Sequence, residues 1–311
     1  MKDKISISLM VSVLIIFLSL GVSERQEDTK TEPTYKNIQY GPHERNVLDF
    51  WKVNSDTPTP LVIFIHGGGF RTGSKENLDA QTLQELLASG ISVASINYRL
   101  ITSDPLPAAH HDARRALQFL RYNAKEWNLD KSKVGCFGSS AGAVISMYLA
   151  FHDEMANPGS SDQVERESTR LTCVASLNGP TTLDMELMKK WIPGSALVLA
   201  EDPNYNTKKL FAMVGAKTME EYQKVMQEIC ALSLITADDP PIYMYYRMTP
   251  DDPIPDDPRY VSSWVVHHVM FGIKLKEVMD KLGIEADLNY PGVSSTYKSC
   301  VHFFKEKFGK E

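Results

Sequence analysis

The sequence predicts an α/β fold: a mostly parallel central sheet flanked by helices, with a helical cap or insertion at about residues 181–237. Two observations carry that prediction. Continuous β-rich apolar runs such as Leu61-Val62-Ile63-Phe64-Ile65 suit strands buried on both faces. These runs alternate along the chain with segments of helical spacing, the pattern of a parallel sheet covered by helices.

Taken in order, residues 46–51 alternate like an early strand, and Thr57 to Pro60 supply a turn into the 61–65 strand. That strand runs directly into His66-Gly67-Gly68-Gly69-Phe70. Residues 78–89 have helical spacing and stop at Gly90, and residues 91–99 form the next strand. Ala113, Ala116, Leu117, Leu120, Ala124 and Trp127 mark one face of a helix. A strand at 133–137 leads through Gly138-Ser139-Ser140-Ala141-Gly142 into a helix at 143–151. Strands at 171–177, 242–247 and 286–290, a helix at 268–282 ending at Gly283, and a closing helix at 297–308 complete the domain. The alternation lapses between Thr181 and Ala237, where a cap over a site would be inserted.

The amino terminus differs from the rest. A charged start, Met1-Lys2-Asp3-Lys4, precedes an apolar run from Ile5 to Val22 and small residues, so residues 1–23 read as a secretory signal peptide. An N-terminal membrane anchor is the alternative, because the run is near the lower limit for spanning. Residues 24–40 read as a linker, polar and disordered in its first part, and residues 41–311 as one α/β domain carrying the insertion. An exported protein acts outside the cytoplasm, and location is read as secreted or periplasmic. A net charge of −6 in 311 residues argues against nucleic acid as a partner. The four cysteines, Cys136, Cys173, Cys230 and Cys300, form no C-x-x-C pair; a disulfide such as Cys230 to Cys300 stays open.

Gly138-Ser139-Ser140-Ala141-Gly142 sits between a strand and a helix, the context a Gly-x-Ser-x-Gly nucleophile elbow requires. Ser140 is then the candidate nucleophile, held on a sharp turn at a helix N-terminus. The glycines at 67–69 do not fit the dinucleotide spacing Gly-x-Gly-x-x-Gly, and no helix opens there. With Asn97-Tyr98-Arg99-Leu100 and the Pro107 to Asp112 segment, these motifs come in an order that resembles the α/β-hydrolase superfamily. Within it the chain looks like the esterase/lipase group with an HGGG motif, which includes hormone-sensitive-lipase-like and feruloyl-esterase-like carboxylesterases. The resemblance covers about residues 46–308.

The resemblance implies a serine carboxylester hydrolase working through an acyl-enzyme at Ser140, without a cofactor or metal. It implies an oxyanion hole from the backbone amides of Gly67, Gly68 and Ala141. The acid is expected after the 242–247 strand, at Asp251 or Asp252. The family's histidine belongs in the loop after the last strand, which here reads Pro291-Gly292-Val293-Ser294-Ser295-Thr296-Tyr297 and holds none. His302 lies within the closing helix. A serine needs a base within hydrogen-bond reach, so His267 and His268 are the expected substitutes, read as lying at a helix start that would keep an imidazole neutral. His110-His111-Asp112 is a second cluster. The substrate class expected is a small ester, with acylated carbohydrate as the analogy suggests. The alternative is an impaired enzyme, or a non-catalytic relative that binds a ligand or partner because its usual histidine is gone.

Overall fold

The computed structural model describes residues 31–196 and 206–309. These residues build an eight-stranded sheet in the order β1-β2-β4-β3-β5-β6-β7-β8. The strands are β1 (Tyr35–Gln39), β2 (Val47–Trp51), β3 (Thr59–Ile65), β4 (Ser92–Ile96), β5 (Leu129–Ser139), β6 (Cys173–Leu177), β7 (Ile242–Tyr245) and β8 (Ala286–Asn289). β1 and β2 pair antiparallel, as do β2 and β4; every other pairing is parallel.

Strand periodicity sorts the core into two layers. Leu61, Ile63 and Ile65 of β3 face one hydrophobic cluster, whereas Val62 and Phe64 face the other. All seven residues of β3 are buried, as its unbroken apolar run requires. On the first face lie α2 (Ala108–Tyr122), which runs into the short α3 (Ala124–Trp127), and α4 (Ala141–Phe151); α1 (Ala80–Ala88) covers the second. Every residue of α4 is buried, and its apolar composition shows no polar stripe to turn outward.

Between β6 and β7 the chain inserts α5 (Met185–Trp191), α6 (Thr207–Val214), α7 (Met219–Ile229) and α8 (Ala231–Leu234). Each of α5, α6 and α7 opens on a side-chain cap: Asp184, Asn206 and Thr218 accept from amides in the first turn. Beyond β7 come α9 (Pro258–Val266), α10 (Met270–Leu282) and, after β8, α11 (Cys300–Phe308).

The structure departs from the sequence expectations at two places and answers one question the sequence left open. The segment read as linker, 24–40, carries β1 from Tyr35, and Trp51 Nε1 anchors the preceding residues by donating to the Thr31 carbonyl at 2.8 Å. β1 is a half-exposed edge strand with Asn37 at φ 55°, so it lacks a clean apolar alternation. The helix α9 was not among the expected elements: Asp257 caps it and Pro258 opens its first turn. The four cysteines are free thiols, and the Cys230 sulfur accepts instead from the Leu183 amide at 3.3 Å. The signal-peptide reading of residues 1–23 lies outside the described residues, as do 24–30 of the linker and 197–205 of the insertion.

Candidate active site

Ser140 stands between β5 and α4 with φ 54° and ψ −119°, a conformation that a non-glycine residue adopts only under constraint. The constraint is visible around it. The Ser140 amide donates to the Leu177 carbonyl at 3.0 Å, tying the turn to the end of β6. A Cβ at Gly142 would lie 2.0 Å from the Ile65 carbonyl oxygen, so only glycine lets α4 start this close to β3. The crossing of strand and helix pushes the Ser140 side chain out into a cavity of about 850 Å³.

The cavity floor is Ser140 with Gly67, Gly68 and Ala141. Ala141 is the first residue of α4, and the amides of a helix's first turn have no intrahelical acceptor. Gly68 has φ 108°, which an L side chain rarely adopts, and a Cβ there would meet the Thr72 carbonyl oxygen at 2.2 Å. The turn is closed by the Arg71 and Thr72 amides, which donate to the Gly68 carbonyl at 3.0 and 3.1 Å. His66 underlies the loop rather than facing the cavity. It stacks on Tyr98 at 4.2 Å, and its Nδ1 donates to the Gly67 carbonyl at 2.8 Å. That leaves Nε2 to accept from Arg45 at 3.4 Å. Burial lowers the His66 imidazole to about 4, so it stays neutral and structural.

A histidine does reach Ser140. His267 Nε2 lies 2.8 Å from Ser140 Oγ. The imidazole comes from the end of α9, whose C-cap is His267. The expected helix N-terminus is therefore corrected: His267 sits where a helix dipole would favour protonation. The imidazole is nevertheless held below its ordinary value. Desolvation is the largest cause, a hydrogen bond to the Ser263 carbonyl opposes it, and the positive charge of Arg247 adds to the lowering. Its other nitrogen, Nδ1, faces Ser263 Oγ at 3.1 Å.

The remaining candidates lie elsewhere. His268 is fully buried, edge-on to Trp264 at 5.1 Å, with Nδ1 accepting from the Met270 amide. Asp252 Oδ1 accepts from the Thr249 amide and hydroxyl at 3.1 and 2.6 Å, and its charge bears on His268. Asp251 is exposed. Neither aspartate is hydrogen-bonded to His267, so the expected acid–base pairing is not the one formed; the loop holding both ends before α9 begins. His110 is buried against Phe70 and Tyr148, His111 contacts Glu228 at 3.1 Å, and Asp112 pairs with Arg99. None of these three lines the cavity. Among the described residues no group of three His, Cys, Asp or Glu side chains could hold a metal.

Sequence reasoning missed Ser263. Its signal was present: Ser263 and His267 are four residues apart, and Asp257-Pro258 upstream marks a helix start that would put them on one face. The insertion also reaches the site, since Met188 of α5 and Leu210 and Met213 of α6 line the same cavity.

A mostly parallel eight-stranded sheet with a serine on a strained strand-to-helix turn makes this an α/β-hydrolase of the esterase/lipase type. The chain belongs to the BD-FAE family, whose model matches residues 48–256. It is 32% identical over 91 residues to Esterase LipI of Mycobacterium tuberculosis, which covers 29% of this chain and 28% of that protein. It is 30% identical over 147 residues to a probable isoprenylcysteine alpha-carbonyl methylesterase of Arabidopsis thaliana, covering 46% and 30%. The chain thus spans under a third of the length of these curated relatives. Among solved structures, a truncated carbohydrate esterase from gut microbiota superposes with TM-score 0.66 at 22% identity, over 91% of this chain and 99% of that one. An acetyl ester-xyloside bifunctional hydrolase from Caldicellulosiruptor lactoaceticus gives TM-score 0.60 at 20% identity, over 85% and 82%.

Proposed function

We propose that the protein is a carboxylic ester hydrolase that works through an acyl-enzyme on Ser140, with His267 as its base. The observation that supports this reading best is the 2.8 Å contact between Ser140 Oγ and His267 Nε2 at the floor of the cavity. His267 takes the Ser140 proton as Oγ attacks the ester carbonyl. The amides of Gly67, Gly68 and Ala141 receive the developing oxyanion. The imidazolium then gives its proton to the leaving alcohol. Water, deprotonated by the same imidazole, attacks the acyl-enzyme and releases the acid. A desolvated imidazole that stays neutral at pH 7 suits the base role.

The substrate we propose is an acylated carbohydrate or another small ester outside the cytoplasm. The carbohydrate esterase among the structural neighbours supports the first part. The charged start and apolar run of residues 1–23 support export as a secreted or periplasmic protein, with an N-terminal anchor as the other form. No helix among the described residues is long and apolar enough to cross a membrane. An imidazole within reach of Ser140 supports the hydrolase reading over a non-catalytic binding protein, the alternative that the missing histidine after β8 favours.

A fluorophosphonate probe, together with hydrolysis of p-nitrophenyl acetate, tests the reading. The wild-type protein should be labelled, Ser140→Ala should not be, and His267→Ala should label at least about 100-fold more slowly. His268→Ala should keep its labelling where it folds. A folded wild-type protein that neither labels nor hydrolyses the ester would replace the hydrolase reading with the binding-protein one.

A further inference from the structure

The base is oriented by a hydroxyl. We infer that Ser263 is the positioning residue for His267, doing from the same helix what a loop carboxylate does in the commoner serine–histidine–acid arrangement. The inference rests on the hydrolase reading for its catalytic meaning, and on geometry for its placement.

Three observations carry it. Ser263 Oγ lies 3.1 Å from His267 Nδ1, while the opposite ring nitrogen lies 2.8 Å from Ser140 Oγ. For Nε2 to accept a proton, Nδ1 must already carry one, and Nδ1–H then needs an acceptor. The Ser263 hydroxyl stands at that position. Second, the carboxylates that could have served are engaged otherwise: Asp252 with Thr249 and toward His268, and Asp251 in solvent. The charged group that bears on His267 is Arg247, beyond the end of β7, and it is a cation. Third, serine and histidine sit four residues apart at the end of α9, where i and i+4 side chains share a face. One helix turn therefore fixes both the position and the tautomer of the base.

A neutral partner has a chemical consequence. A carboxylate stabilises the imidazolium that forms when serine attacks; a hydroxyl orients the ring without supplying charge. The imidazole is then a weaker base that stays unprotonated to lower pH. The proton it holds passes readily to the leaving group, and the enzyme keeps working in mildly acidic surroundings.

The test uses Ser263→Ala, Ser263→Thr and Ser263→Asp in the full chain. Ser263 is exposed, so the substitutions leave the core untouched. Two readouts are taken: kcat and KM against pH with p-nitrophenyl acetate, and the titration of the His267 ring proton by NMR, assigned with His267→Gln. Ser263→Ala should lower kcat about ten-fold with KM within about two-fold, the loss of one orienting hydrogen bond. Ser263→Thr, which keeps the hydroxyl, should restore kcat to within about three-fold of wild type. Ser263→Asp should raise the His267 titration midpoint, and the acid limb of kcat with it, by about one pH unit or more. Wild-type kcat in Ser263→Ala with an unmoved His267 titration would overturn the inference. If wild type turned over no ester, the hydrolase reading would fall. The His267 titration would still decide the placement: an unchanged midpoint in both Ser263→Ala and Ser263→Asp would remove Ser263 from the base.

Discussion

Ser140 and Gly142 show how much of the site rests on single residues. Ser140 is held at positive φ, and the strain persists because Gly138 and Gly142 let strand and helix backbones meet. A methyl at position 142 has nowhere to go, because its neighbour within 2.0 Å is the main chain of β3. Gly142→Ala should therefore destabilise the fold by at least about 3 kcal/mol, read as the shift in urea midpoint. A variant of wild-type stability would show that the elbow is looser than described. The neighbouring histidines make the complementary point. His267 and His268 have the same side chain, yet one faces Ser140 and the other is fully buried beside Trp264. His267 closes α9 and His268 follows in the link to α10, so one step along the chain separates the ring that meets Ser140 from the ring that is buried.

At the scale of elements, α9 and the insertion both reach the cavity at Ser140. The loop after β8 contains no histidine, whereas the end of α9, the helix that follows β7, brings His267 to Ser140. The insertion contributes Leu183, Met188, Leu210 and Met213 to the cavity's apolar lining. That lining is a size filter for the group it contacts. Leu210→Trp should lower kcat/KM for a long-chain or bulky acyl ester by at least about ten-fold while leaving an acetyl ester within about three-fold. Equal losses on both substrates would indicate that Leu210 supports the fold of α6 rather than lining the acyl or alcohol site.

At the scale of the whole molecule, the two-layer core buries imidazoles that are uncharged at neutral pH. His110 is fully buried with neither ring nitrogen bonded among the described residues, and burial pushes it down to about 3. In the unfolded chain the same ring binds a proton below about 6.5. The stability it permits is thus complete above pH 6.5, falls as the pH drops through that window, and reaches its full loss near pH 3. Between pH 7 and 4.5 this group alone should cost about 2–3 kcal/mol. His110→Phe, set between Phe70 and Tyr148, should show a shallower decline over that range by urea titration. An identical slope in the two proteins would mean that other groups control the acid sensitivity.

Local pattern in the chain was enough to specify the parallel sheet, its flanking helices and the elbow. Buried strands must be continuously apolar, and a strand-to-helix turn this tight admits only glycine around the serine. The glycine loop was legible for the same reason, since its backbone must approach Ser139 and Thr72 with no side chain between. What local pattern could not decide was which histidine meets Ser140. That is a contact across 127 residues of sequence, set by how the chain between β7 and α10 returns to the elbow. Asp251 and Asp252 had the right side chain in the right loop, but tertiary placement turned one to solvent and the other toward His268. Residue type and spacing mark a candidate nucleophile; only the packing of distant segments brings an imidazole within reach of it.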